Sequence, residues 1–255
     1  MVAQAWREEG VQPSSPGVVS GVLTSLGVLT FTLAILSVLP VRHHDSDVSK
    51  PLFTYLREMQ RGGLFELDEA TRQVRDGTRH AQPRHVHFLE NWMQWAAGFV
   101  YSPLRRTQDT NRLIAGGLAE CSERSQILKG IAEAAGLPCR FVGLNGHVAL
   151  EVFYQDRWHF ADPEYGMALP LSLRELEQPA QADDVRNALA ITVRNPWVIE
   201  HYMKILQSAE DNVVFPVGAA ISPRLHRLEQ LCAGLLWLLP STCLALGWTL
   251  RLYRG

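Results

Sequence analysis

Two uncharged apolar runs bracket the chain, and between them the apolar period changes from helical to strand-like and back. Gly17 to Leu39 forms 23 consecutive positions without a charge, about 34 Å as a helix, enough to cross a bilayer core. Leu231 to Leu250 supplies another 20, with Pro240 as an expected kink. Trp237, Trp248 and Tyr253 suit interfacial anchors, and Arg251 and Arg254 cap the second run, so it reads as a membrane span rather than a core helix. The first run reads as an uncleaved span: AILSVLPVRHH offers no small-x-small cleavage site, and Arg7 is the one basic residue before it.

Between the runs, helical signals cover Pro51 to Met59 and Leu67 to Gly77, the second with Glu66 and Asp68 near its start. Ala81 to Arg84 reads as a connector. Ile127, Leu128, Ile131, Ala132 and Ala135 then recur at helical spacing, stopped by Gly136 and Pro138. Arg140 to Leu144, Asn145-Gly146, and His147 to Tyr154 form a hairpin signal. A turn at Gln155-Asp156 brings Arg157 to Asp162 back as a third strand. Leu171 to Glu177 and Asn195 to Glu210 suggest further helices. The expected organisation is a tail (1–16), a span (17–40), a helical juxtamembrane segment (41–85), an α+β core (86–170), a helical extension (171–228), a second span (229–250) and a tail (251–255).

The candidate chemistry lies in the core. Cys121 falls at or just before the first turn of its helix, where unpaired N–H groups and the helix dipole favour thiolate over thiol. An even-length turn after Tyr154 makes opposed residues sum to 311. Asp162 then stands opposite Ala149, diagonal to His147 on one face; an odd-length turn would send it to the other face. The three residues suit a triad in which Cys121 attacks an acyl carbon, His147 pairs with the thiolate and returns the proton, and Asp162 orients the imidazole. The Cys121 N–H is the natural oxyanion donor. Pairing across Asn-Gly sums to 291 and sets Glu151 opposite Arg140, expected as a contact of a few tenths of a kcal/mol. Trp158 and Phe160 read as sheet packing.

These residues resemble the catalytic core of the transglutaminase-like superfamily, a papain-like cysteine fold. The matching elements are Cys121 at a helix start, Gly136-Leu137-Pro138, His147 followed by Glu151-Val152, and Trp158 leading to Asp162-Pro163. Trp92 to Tyr101 and Asn111 to Gly117 are similar to the family's lead-in helices. The resemblance covers roughly a third of the chain. It implies a papain-like α+β core, a thioester on Cys121, and a protein or peptide substrate. Ala119 stands where the family often has Gly, and Ala149 where it often has an aromatic, which bears on the cleft's shape and hence on substrate preference.

Basic residues near the spans favour the centre (Arg42, Lys50, Arg57, Arg224, Arg227) over the outer ends, a count that puts the core in the cytoplasm. The connecting segment of about 190 residues exceeds the ~60 for which that rule is reliable. Resemblance to membrane-tethered bacterial members implies an extracytoplasmic core instead.

With net charge −2 and a pI near 6.5, the chain carries no electrostatic footprint for nucleic acid. Cys139 opens a strand and Cys232 and Cys243 fall in the second apolar run, so the four cysteines form no disulfide scaffold. His43, His44, Asp45 and Asp47, and separately His80, His85 and His87, lack a recognised metal-ligand spacing. No nucleotide or dinucleotide motif occurs, so no cofactor is expected. Three functions fit: amide hydrolysis, protein cross-linking by an amine acceptor, or the role of a non-catalytic membrane-tethered binding or assembly module for cell-envelope or polysaccharide machinery.

Overall fold

The computed structural model describes residues 16–36, 46–82 and 85–253. Its elements in chain order begin with helices α1 (Pro16–Leu36), α2 (Ser46–Gln60) and α3 (Leu67–Asp76), strand β1 (Arg79–His80), α4 (Trp92–Val100) and α5 (Thr110–Gly116). Then come β2 (Leu118–Ala119), α6 (Cys121–Ala134), β3 (Cys139–Leu144), β4 (His147–Tyr154), β5 (Arg157–Asp162) and β6 (Met167–Leu169). The chain continues through α7 (Leu173–Leu176), α8 (Ala182–Thr192), α9 (Pro196–Gln207), β7 (Asn212–Val214) and α10 (Pro223–Leu252). Two compact units result: Arg42–Val86 with Pro103–Glu229, and Met1–Val41 with His87–Ser102 and Gln230–Gly255.

The larger unit is built on an antiparallel sheet in the order β6-β5-β4-β3-β7. Both main registers follow from local turn chemistry. Asn145 and Gly146 take φ of 38° and 92°, and Gln155 and Asp156 take 49° and 64°, the left-handed pairs that two-residue hairpin loops require. Arg140 therefore opposes Glu151, and Leu150 opposes Ala161, matching the sums of 291 and 311.

Period-two alternation buries both faces of the sheet. Phe141, Leu150, Val152 and Ala161 pack under α2, α3, α5 and α6 in one cluster. Val142, Leu144, Ala149 and Phe160 pack under α7, α8 and α9 in the other. Helix α6 lies close to α5 because residue 130 is glycine: a Cβ there would meet Thr110 Oγ1 at 2.5 Å. The α8 helix and the short strands β6 and β7 are additions to the sequence reading, and Phe160 and Trp158 are sheet packing as expected.

In the smaller unit, α1 and the later turns of α10 run antiparallel. Ser20 Oγ donates to Gly247 O at 2.9 Å, a Cβ on Gly27 would strike Leu244, and Phe31 meets Trp237 edge-on at 6.3 Å. Small residues at the crossing permit this approach. Outward-facing Thr32, Ser241, Thr242 and Thr249 each donate to the carbonyl four residues earlier, so their hydroxyls need no outside partner. Pro223–Leu252 is long and apolar enough to cross a membrane; the apolar stretch Val19–Ile35 is shorter. Residues 37–40 of the first expected span lie outside the described residues.

Candidate functional site

The N-terminus of α6 is held from several sides. The parallel pair β1–β2 fixes the two residues just before Glu120, and Glu120 N donates to Glu123 Oε2 at 3.2 Å, closing the first turn. Arg106 faces both Glu120 and Glu123, at 3.2 and 3.7 Å, which offsets two carboxylates that flank the nucleophile. Half-buried Cys121 is the first helical residue, as the apolar spacing predicts. One turn on, Ser125 Oγ donates to Val148 O at 2.9 Å, tying α6 to β4 beside His147.

His147 opens β4 and Asp162 closes β5, so the 311 register puts them on one face. His147 Nε2 lies 2.7 Å from Asp162 Oδ2, and the Cys121 sulfur acts on the same imidazole, raising its pKa. With Nε2 committed to Asp162, Nδ1 is the nitrogen left for the sulfur. Burial alone would depress the His147 pKa, but the Asp162 carboxylate and the Cys121 sulfur outweigh it and hold the imidazole at about 10. An imidazolium donates from both nitrogens, so one charged ring serves both partners.

Asp162 is fully buried, and three donors justify a carboxylate there. Besides His147, Tyr202 OH donates to Oδ2 at 2.8 Å and Glu164 N to Oδ1 at 3.0 Å. Burial, then the charge of Asp162, drives the Tyr202 phenol well above its ordinary pKa, so it stays a donor. Burial likewise pushes Tyr165 up to about 12. The Tyr165 and Tyr202 rings meet edge-on at 5.1 Å and each has its centroid 5.8 Å from that of His147.

A buried arginine joins the two ends of this arrangement. Arg124, one turn after Cys121, donates to Thr78 O at 2.8 Å and to Glu164 O at 3.2 Å, and its guanidinium pairs with Glu164 Oε2 at 3.1 Å. Glu164 is two residues past Asp162, so one side chain locks the helix of the nucleophile to the strand end of the carboxylate. The sequence reading missed Arg124, Glu164 and Tyr202. Tyr202 sits on an apolar helix face 40 residues from its partner, where it reads as core.

Along the first turns of α6, a cleft of about 160 Å³ is lined by Arg106, Gln108, Leu113, Ser122, Ile221 and Leu225 among others. Its lining mixes apolar Leu113, Ile221 and Leu225 with polar Arg106, Gln108 and Ser122.

The other candidates remain apart from this chemistry. Burial pushes the Cys139 thiol up to about 12, with Glu133 adding to the rise. All four cysteines are free thiols. His80 Nδ1 lies 2.8 Å from Glu164 Oε1, while His85 and His87 are exposed. Among the described residues no three potential metal ligands stand together; His43, His44 and Asp45 lie outside them.

The pair of charges makes a testable pH dependence. Replacing Cys121 with Ala leaves Asp162 alone to raise His147. The expected folded value stays above the ordinary 6.5, in the direction Asp162 sets; stabilisation of that sign is complete below pH 6.5, declines above it, and is gone once the folded pKa is passed. The melting temperature of Cys121→Ala will therefore fall above pH 6.5 more steeply than that of Cys121→Ala/His147→Gln. Parallel curves would show that His147 gains nothing from Asp162.

Comparison of the chain with family models, curated proteins and solved structures returned no match.

Proposed function

We propose that the protein is a membrane-anchored, transglutaminase-like cysteine enzyme that transfers or hydrolyses acyl groups through a thioester on Cys121. The observation that carries the reading is the His147 to Asp162 contact at 2.7 Å, on an imidazole whose pKa Asp162 and the Cys121 sulfur together raise to about 10. A buried structural cysteine has no use for a charged, oriented imidazole beside it.

The thiolate attacks the acyl carbon, and the developing oxyanion meets the Cys121 N–H at the helix start. As the intermediate collapses, His147 gives its Nδ1 proton to the leaving amine, whose bond to the acyl carbon breaks, leaving a thioester. Neutral His147 then takes a proton from an incoming water or amine. The acid or new amide departs, restoring thiolate and imidazolium. Asp162 stays ionised throughout and keeps the ring in place. The cleft lined by Leu113, Ile221 and Leu225 supports a protein or peptide side chain as part of the substrate.

Membrane anchoring by α1 and α10 is part of the proposal. Its supports are the 30-residue apolar helix Pro223–Leu252, the antiparallel close packing with α1, and hydroxyls satisfied within their own helices.

The test treats the detergent-solubilised protein with a thiol-directed electrophile at pH 6 and locates adducts by mass spectrometry. Selective modification of Cys121, faster than that of an ordinary thiol, is expected. Modification no faster than a free thiol would favour the non-catalytic assembly module. In that case a Cys121→Ala strain would keep its cellular phenotype.

A further inference from the structure

Helix α4 is amphipathic the wrong way round for water. Asn91 and Gln94 are 1 and 0% exposed, with Gln94 N bonded to Asn91 Oδ1, and small Gly98 is also buried. The outward residues are large and apolar: Trp95 at 39%, Phe99 at 64% and Val100 at 93%, followed by Tyr101 at 42%. Trp95 is held edge-on between Phe88 at 5.2 Å and Phe99 at 4.7 Å, so the aromatic surface is a built one. From Asn91 to Leu104 the chain carries no charge. An exposed face of this composition marks a surface that meets something other than water.

We infer that α4 lies in the headgroup boundary of a bilayer, with its Trp95–Phe99–Val100 face in lipid, as a third membrane contact beside the two spans. The inference rests on the reading of α1 and α10 as membrane spans. Nine residues make about 14 Å of helix, far short of the ~30 Å hydrocarbon core, so α4 lies on the membrane rather than across it. Tryptophan and tyrosine are the side chains that favour this depth, where an apolar ring and a polar tip are both accommodated. Lipid is chosen over a protein partner because α4 belongs to the same compact unit as α1 and the apolar turns of α10, a unit whose outward positions include Leu29, Leu238 and Leu246.

The test places a photoactivatable diazirine amino acid at position 99, 246 or 210 of the full chain, in vesicles of phosphatidylcholine and phosphatidylglycerol. Position 246 reports the spans and position 210, exposed in the larger unit, reports water. The expected result is a lipid adduct at 99 with a yield near that at 246 and several-fold above that at 210. The same probe at position 100 repeats the reading should the change at 99 disturb folding. Lipid adducts at 246 alone would overturn the inference while leaving the spans intact. A cross-link from 99 to a second chain would assign the face to self-association and overturn it too. No lipid adduct at either 99 or 246 would remove the spans and the inference together.

Discussion

At pH 6, His147→Ala will lower the rate of Cys121 alkylation by about tenfold. An ordinary thiol with a pKa of about 8.5 is ~0.3% ionised at that pH, so a sulfur that loses its imidazolium partner loses most of its nucleophile. The loss is smaller than the ionised fraction alone implies, because a less stabilised thiolate is intrinsically more nucleophilic, with a Brønsted slope of about 0.4–0.5. The imidazolium is the species present at that pH, since Asp162 and Cys121 hold it to about 10 against the opposing effect of burial. The deficit will close as the pH rises past the ordinary thiol range. A His147→Ala rate equal to wild type at pH 6 would sink the ion-pair mechanism. Cys139→Ser serves as the control and will change nothing, because that thiol is buried.

Asp162→Asn should fall between these limits, and the hydrogen bonds say why. Asp162 Oδ2 receives His147 and Tyr202, and Oδ1 receives Glu164 N. All three partners are donors, whereas an asparagine has one acceptor oxygen and an NH₂ group. Whichever way the amide turns, a donor faces a donor, and the negative charge that holds up His147 is gone.

The parts of the site that could be read in advance are those set by neighbours in sequence. Asn145-Gly146 is a two-residue turn signal in itself, whereas the parity at Gln155-Asp156 was open in the sequence; the two-residue loop found there is what puts His147 and Asp162 on one face. Cys121 was legible because Gly136 and Pro138 end a helix whose apolar spacing fixes its start. Tyr202, Arg124 and Glu164 were not. Each reaches its partner across 40 or 46 residues of sequence, and no local period distinguishes a phenol that caps a carboxylate from one that fills a core. Strands of three residues such as β6 and β7 are too short to show alternation, and they form because β5 and β3 offer them edges.

Glu151→Ala will destabilise the larger unit by about 3 to 5 kcal/mol, an order of magnitude above the few tenths expected for a cross-strand pair at a surface. The register is the one read from sequence, but the environment is not. Glu151 is fully buried, because α7 closes over it and Leu173 N donates to Oε1 at 2.5 Å. Its other oxygen meets Arg140 Nε at 2.5 Å, and that guanidinium lies over the Trp158 ring, 4.1 Å from its centroid. Removing the carboxylate leaves a cation and a helix-start N–H without their acceptor, which costs more than the lost attraction. Arg140 keeps a quarter of its side-chain surface in solvent, so water relieves part of the penalty and the lower half of the range is expected. At ~2–4 °C per kcal/mol for a unit of this size, the melting temperature should drop by about 6–16 °C. The double variant Arg140→Met/Glu151→Met removes both charges, keeps the volume, and should recover much of the loss. A drop below about 2 °C for Glu151→Ala would mean that solvent reaches the carboxylate and that α7 is not fastened to the sheet through it.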